Sequence, residues 1–194
     1  EALASVAFIS HAHIRSRRRE DAGGHEIEAS AQSLGEARPC AAAPGTTVTV
    51  RDLFFNTPAR RKFLRTANTE FGHITEQLAR LALPHPDVAF TLVHNGRAVQ
   101  NLPATDSTRR RVGDFFADDL AAALLPVAPR RGDVRVDGLL GPPAAARASA
   151  KWQYFFLNGR YVRDRVLSHA LREAFRGRID PGRSPVAFLF LELD

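Results

Sequence analysis

The side chains in this sequence best suited to chemistry are its arginines. Arg160, Arg163 and Arg165 stand together in "NGRYVRDR", at an expected junction between a hairpin and a helix. A guanidinium group grips phosphate in a planar, bidentate way, and side chains and backbone amides at such a junction can face phosphates together. Contacts of this kind hold a nucleic-acid backbone without reading bases, and they weaken steeply with salt. The competing reading is a solvated basic face on which Asp164 pairs one of these arginines. A second cluster, Arg60, Arg61, Lys62 and Arg65, follows "LFFNTP". On a helix whose Phe63 and Leu64 face a core, those charges would be spread around the exposed side, which favours a structural and interdomain role. The run "RSRRRE" around Arg15 to Arg19 reads as protection of an exposed strand edge.

Other constellations lead nowhere. The chain has no Gly-x-Gly-x-x-Gly and no Gly-Lys-Ser/Thr phosphate loop. His11 and His13 alternate on one expected strand but have no third ligand nearby, so they read as surface residues. His73 lies on the polar side of its helix. Cys40, the single cysteine, has no His or Asp partner at a useful spacing. One cysteine excludes an intramolecular disulfide and fits a reducing compartment.

Composition sets the bounds. With 194 residues, 44% of them hydrophobic, the chain can build one large core or two small ones. Lys+Arg number 27 against 21 Asp+Glu, a surplus that speaks about partners and not about fold. No run approaches the ~18 apolar residues of a membrane span, so a cytoplasmic protein is expected. There is no methionine, the first residues read as a helix already under way, and "PVAFLFLELD" is an apolar strand with nothing after it. Both ends therefore read as cut.

The elements that must position these residues are short. Residues 1 to 10 suit the tail of a helix, and "HAHIRSRRRE" pairs through the turn "DAGG" with "HEIEAS" as a hairpin. "SLGEARPCAAAPG" is a loop or a weak edge strand. The β-branched alternation from Thr46 to Leu53 is a strand. Asn56 and Thr57 offer capping oxygens, and Pro58 suits the first helical position, so a helix is expected from Pro58 through Phe63 and Leu64. A second helix, "NTEFGHITEQLARLAL", has Asn68 or Thr69 as its cap and Phe71, Ile74, Leu78 and Leu81 on its apolar face. "DVAFTLVHNGRAVQNL" is a hairpin on a type I′ Asn-Gly turn. The polar run "PATDSTRRR" sets a domain boundary near Ala104. Beyond it the pattern gives a helix from Thr108 to Ala123, strands near 125–127 and 134–140, a second Asn-Gly hairpin at Asn158-Gly159, the helix "RVLSHALREAFRGR" and a last strand.

One stretch is long enough to carry more than local structure. "GTTVTVRDLFFNTPARRKFLR", Gly45 to Arg65, resembles the fourth nucleotide-site motif of the MutL family of mismatch repair ATPases, in the GHKL superfamily. The likeness continues: "EALAS" at Glu1 to Ser5 is similar to the end of that family's lid motif, and "NTEFGHI" and "VHNGRAV" to its next helix and closing hairpin. "YFFLNGRYVRDRVLSHALREAF" is similar to the heart of its second domain.

The resemblance implies an α+β fold: residues 1–105 as the later part of a GHKL ATPase domain, a mixed-sheet and helix sandwich, and 106–194 as a ribosomal-protein-like second domain. It implies ATP, with Thr46 of Thr46-Thr47 hydrogen-bonding the adenine region and Ala2 and Leu3 offering backbone N–H groups to the phosphates. It marks Arg165 as a phosphate contact to DNA. The family's general-base Glu, Mg²⁺-binding Asn, Asp-x-Gly-x-Gly segment and γ-phosphate lysine have no counterpart in this sequence. The chain alone is thus expected neither to hydrolyse ATP nor to bind it tightly, because water is neither activated nor aligned. The implied partners are DNA, a MutS-type mismatch sensor, a strand-nicking endonuclease or helicase, and a second copy in an ATP-dependent self-dimer. Rival readings are a DNA-binding or assembly module without a nucleotide role, and a type II topoisomerase ATPase subunit, which shares the two-domain plan but lacks "LFFNTPARRKFL".

Overall fold

A computed structural model describes residues 2–193, and contacts divide them into two compact units, one ending at Glu70 and one beginning at Phe71. Glu1 of the lid-like "EALAS" lies outside the described residues. The first unit contains α1 (Ala2–Phe8), β1 (His11–Arg17), β2 (Gly24–Ser30), β3 (Ser33–Leu34), β4 (Arg38–Cys40) and β5 (Gly45–Arg51). The strands form one antiparallel sheet in the order β3-β2-β1-β5, with β4 also on β2. The expected hairpin is β1–β2, and the weak segment after it supplies the short strands β3 and β4.

Register makes this sheet two-faced, because successive side chains point to opposite sides. Ile14 stands opposite Ile27 and Val48, and Ala12 opposite Ala29 and Val50, so these apolar side chains share one face. The opposite face carries His13, Arg15 and Arg17 with Glu26 and Glu28. His13 Nε2 lies 3.1 Å from Glu26 Oε2, and Arg38 lies 3.6 Å and 3.8 Å from Glu26 and Glu28. Among the described residues of this unit only Ser10 and Gly24 are buried. Among the described residues the unit has a well-paired sheet but no buried core of its own.

The corner after β5 departs from expectation. Asp52 (φ 52°) and Phe54 (φ 65°) adopt left-handed backbone, which costs roughly 1–3 kcal/mol each for such residues. Contacts to the end of α1 hold them there. Phe54 N donates to Ile9 O at 2.7 Å, Asn56 Nδ2 donates to Phe8 O at 2.8 Å, and Phe55 stacks on His11 with ring centroids 4.3 Å apart. Asn56 therefore serves α1 rather than capping the helix after it, and Thr57 makes no side-chain cap bond. That helix, α2 (Pro58–Arg61), is a single turn. Phe63, expected to face a core, is 84% exposed, because the described residues of this unit form no core to receive it.

The second unit is built differently. The helix α3 (Ala67–Ala82) begins after Thr66, whose Oγ1 accepts from Thr69 N, so the cap comes earlier than Asn68 or Thr69. After α3 come β6 (Phe90–His94), β7 (Arg97–Leu102), α4 (Thr108–Phe115), α5 (Asp118–Ala123), β8 (Leu125–Val127), β9 (Arg130–Arg131) and β10 (Val134–Leu140). They are followed by β11 (Gln153–Leu157), β12 (Arg160–Val162), α6 (Arg165–Ala174) and β13 (Ala187–Leu193). The main sheet runs β12-β11-β13-β10-β8, with β11 and β13 parallel and the other pairs antiparallel. Its core gathers Val112, Leu120, Leu124, Phe156, Val186 and Phe188, with Ala79 and Leu83.

Two readings of this unit need correction. The buried side of α3 is Ala79 and Ala82, with Leu83 just after, while Ile74 and Leu81 are exposed; small alanines let the helix backbone approach the core closely. The helix expected from Thr108 to Ala123 is two helices. Ala117 is extended (φ −176°, ψ 147°), which lets α5 fold back onto α4 at Gly113, where a Cβ would meet Asp118 Oδ1 at 2.8 Å. Between them Phe116 packs against Trp152, Tyr154 and Phe188 at centroid distances of 5.2–5.6 Å. The contact division lies between Glu70 and Phe71, so the segment around Ala104 is packed within this unit. Arg111, fully buried, places Nη2 2.7 Å from Pro86 O, 2.7 Å from Val88 O and 3.0 Å from Pro103 O, which ties the segments flanking the β6–β7 hairpin to α4. Burial holds its guanidinium below the usual arginine range. Both Asn-Gly turns have positive φ at each central residue, as type I′ requires.

Candidate functional site

A groove of about 800 Å³ opens where β12 meets α6. It forms because the Asn158-Gly159 turn returns the chain through Tyr161 and Val162, and the helix then starts immediately. Asp164 is the N-cap: its Oδ1 accepts from Leu167 N at 2.9 Å. Leu167 and Leu171 turn inward to pack with Phe155, Val162 and Ala187, which leaves Arg165, Ser168, His169 and Arg172 on the groove side. Lys151, in the 3-10 turn Ala150–Trp152 just before β11, lines the same groove with Ser149. Four Lys/Arg side chains thus meet two carboxylates, Glu76 and Asp164.

Arg163 and Arg165 come together in this groove, and Arg160, beside the turn, is not among its lining residues. Asp164 pairs none of the three; it is occupied by the cap. The carboxylate that meets Arg163 is Glu76 of α3, with Nη2 3.3 Å from Oε1. Arg80 also bonds Glu76 and lies over the Tyr161 ring, 4.3 Å from its centroid. Arg163 Nε donates to Tyr161 Oη at 3.3 Å. That hydrogen bond, ahead of the nearby Glu76 charge, raises the Arg163 guanidinium above its ordinary range. Below this layer Tyr154, 7% exposed, is pushed up to about 12, first by burial and then by the Glu76 charge.

Sequence reasoning missed Glu76, Lys151 and Arg172. A signal existed for Arg172, since Arg165, Ser168, His169 and Arg172 recur at helical spacing along one side of α6. None existed for Glu76, which lies 87 residues before its partner, or for Lys151 in an aperiodic stretch.

The expected nucleotide residues lie in the first unit. A groove of about 560 Å³ runs between α1 and the apolar sheet face, lined by Leu3, Ile14, Ile27, Val48 and Val50 among others. Thr46 continues the row of Val48 and Val50, and its hydroxyl shares a 2.8 Å hydrogen bond with that of Ser16. Thr47 stands on the opposite face, so the two threonine side chains cannot line one pocket. Leu3 lines the groove and Ala2 does not. Among the described residues no group of three His, Cys, Asp or Glu side chains could hold a metal, and no helix is long and apolar enough to cross a membrane.

Comparison with known proteins places this architecture. A family model described as "DNA mismatch repair protein, C-terminal domain" matches residues 112–194, from within α4 onward. MutL of Anaeromyxobacter sp. (strain K) is 47% identical over 193 residues, covering 100% of this chain and 32% of that protein. Among solved structures, the Aquifex aeolicus MutL ATPase domain complexed with ADP superposes with a TM-score of 0.79 at 29% identity, over 100% of this chain and 71% of that one. The B subunit of DNA gyrase from Myxococcus xanthus shares the fold, with a TM-score of 0.56 at 14% identity over 98% of this chain and 59% of its own. The chain spans about a third of the length of the curated MutL proteins it matches. Its two-unit α+β fold is similar to the GHKL-type ATPase domain of MutL, and the chain belongs to the MutL family of DNA mismatch repair proteins.

Proposed function

We propose that the intact protein is an ATP-dependent, self-dimerising clamp that passes a mismatch signal from a MutS-type sensor to a strand-nicking endonuclease or helicase, and that the β12–α6 groove holds its DNA. The observation that carries the DNA reading is the groove itself. Lys151, Arg163, Arg165 and Arg172 converge there with the Ser149 hydroxyl, a donor set suited to phosphate oxygens, while the Ser168 hydroxyl donates to Asp164 O at 2.8 Å. Among the described residues no open Phe, Tyr or Trp face lines the groove: the Tyr161 ring is covered by Arg80 and packed beside Tyr154 and Phe156. The groove's polar groups are weighted toward phosphate rather than toward a row of stacked bases, which suits the sequence-independent grip that a mismatch can require anywhere.

For nucleotide, the residues fit one part of the task. The groove beneath α1 is apolar, with the Thr46 and Ser16 hydroxyls in line with its valine row, a surface suited to an adenine; Leu3, and Ala2 before it, would bring backbone N–H groups toward phosphates. No charged side chain lines this groove, so the described residues do not fit Mg²⁺, and no step through the metal follows from them. In this reading residues 1–105 belong to the nucleotide-binding domain and 106–194 to the domain that holds DNA. Support for ATP in the intact protein comes from the ADP complex of the Aquifex relative.

The test is retention on duplex DNA as salt is raised, with and without Arg165→Glu. The wild-type chain should be retained at low salt with no sequence preference. The substitution should remove most of that retention and flatten the salt dependence by at least about one phosphate contact, a slope change near 0.9. Equal retention of the two proteins would take Arg165 out of the site.

A further inference from the structure

We propose that Glu76 is an internal stand-in for a DNA phosphate: its carboxylate occupies Arg163 in the free protein, and DNA must displace it to gain that contact. The inference rests on reading the β12–α6 groove as the DNA site and adds to it how the affinity of that site is set.

Three observations support it. Glu76 lines the groove and places Oε1 3.3 Å from Arg163 Nη2, in the position a phosphate oxygen would take on the same guanidinium. The bond is replaceable: the Arg163 side chain is 73% exposed and Glu76 is 40% exposed, so water screens the pair and keeps it weak. Glu76 is also kept in place when Arg163 leaves, because Arg80, only 14% exposed, bonds the same oxygen from one helical turn away. The other carboxylate of the groove cannot take this part, since Asp164 is committed to capping α6. Among the described residues neither Arg165 nor Arg172 forms an ion pair in the groove. The site therefore contains cations ready for phosphate and one cation held in reserve behind an anion.

The consequence is unusual for a residue in a binding groove: removing its charge strengthens binding through one named partner. Loss of a nearby negative charge would favour DNA to some degree anywhere, so the test is a double-mutant cycle on duplex DNA with Glu76→Gln, Arg163→Gln and both together. Glu76→Gln alone should bind about two- to five-fold tighter at low salt, as release of an exposed ion pair permits, and its salt slope should steepen by about 0.9. In the Arg163→Gln background the same change should have little effect. Trp152 fluorescence during thermal unfolding checks that each variant folds, and Glu76→Ala should move binding in the same direction. Weaker or unchanged binding by Glu76→Gln overturns the proposal, as does an equal gain in both backgrounds. Failure of the wild-type chain to bind duplex at low salt would instead sink the groove reading on which this one stands.

Discussion

The two compact units put their apolar side chains to opposite use. In the second unit Phe156, Phe188 and Leu124 are almost wholly buried, and aromatic rings form a continuous layer in which Tyr154 stacks on Phe188 and Phe116 packs tilted against both. In the first, Val48 and Val50 are 47% and 43% exposed on the face they share with Ile14 and Ile27. Both units have regular paired sheets, with one register shift at Leu92/Val93 in the β6–β7 hairpin of the second. The difference teaches that strand pairing and burial are separate achievements: alternation builds a sheet with one apolar face, but stability requires that a second layer cover it. Only the second unit meets that condition among the described residues.

The largest test of this contrast is a core truncation. Phe188 is fully buried in the central strand β13, stacked on Tyr154 with centroids 5.4 Å apart. Phe188→Ala should destabilise the second unit by about 3–5 kcal/mol. Urea unfolding followed by the fluorescence of Trp152, the one tryptophan of the chain, reports on this unit, since that ring packs beside Phe116. A loss below about 1 kcal/mol would mean that the layer is not the cooperative core described.

How much of this was legible depends on whether the signal was local. The two Asn-Gly hairpins, the β1–β2 pairing and the Pro58 start were readable because turn and cap chemistry act over a few residues. Arg163 and Arg165 were readable as a pair because the turn, the strand and the helix start that bring them together are contiguous. The failures share a different cause. The face of α3 was misjudged because Ile74, Leu78 and Leu81 are the larger apolar residues, whereas close packing selected Ala79 and Ala82. Phe63 reads as a core residue, but among the described residues its unit has no core. Asn56 reads as a cap for the helix after it, but its amide turns 48 residues back to Phe8. Glu76 acts across a longer separation still, 87 residues. Periodicity reports which residues can share a face; it does not report what that face will meet.

A smaller effect sharpens the contrast through pH. Tyr154 has its phenol held neutral by burial, pushed from an ordinary value of 10 up to about 12. Below pH 10 the phenol is neutral in both folded and unfolded chains, and its full contribution to stability is present. As pH rises from 10 toward 12 the unfolded chain loses the proton first, so that contribution is lost, about 2 kcal/mol across the window. Tyr154→Phe should flatten this part of the stability curve of the second unit, measured by urea unfolding at stepped pH. An unchanged alkaline slope in the variant would assign the loss to other groups.

The smallest expected effect is the most telling for the first unit. Val48 and Val50 stand on the apolar face of β5 with nearly half their surface open, and each can be replaced by threonine without losing strand preference. If that face is uncovered in the chain, Val48→Thr with Val50→Thr removes little buried area, and the unit should lose no more than about 0.5 kcal/mol, the range of surface changes. Amide exchange along β1 and β5 would read the stability of the sheet. Fluorescence of a dye that binds open apolar surface should fall in the same protein, because the row that continues from Thr46 toward α1 has become polar. A loss of stability approaching that of Phe188→Ala would mean that something already packs on this face, and the contrast between the two units would be gone. Stable exchange with weaker dye binding would leave a sheet whose register is complete and whose apolar side is still open.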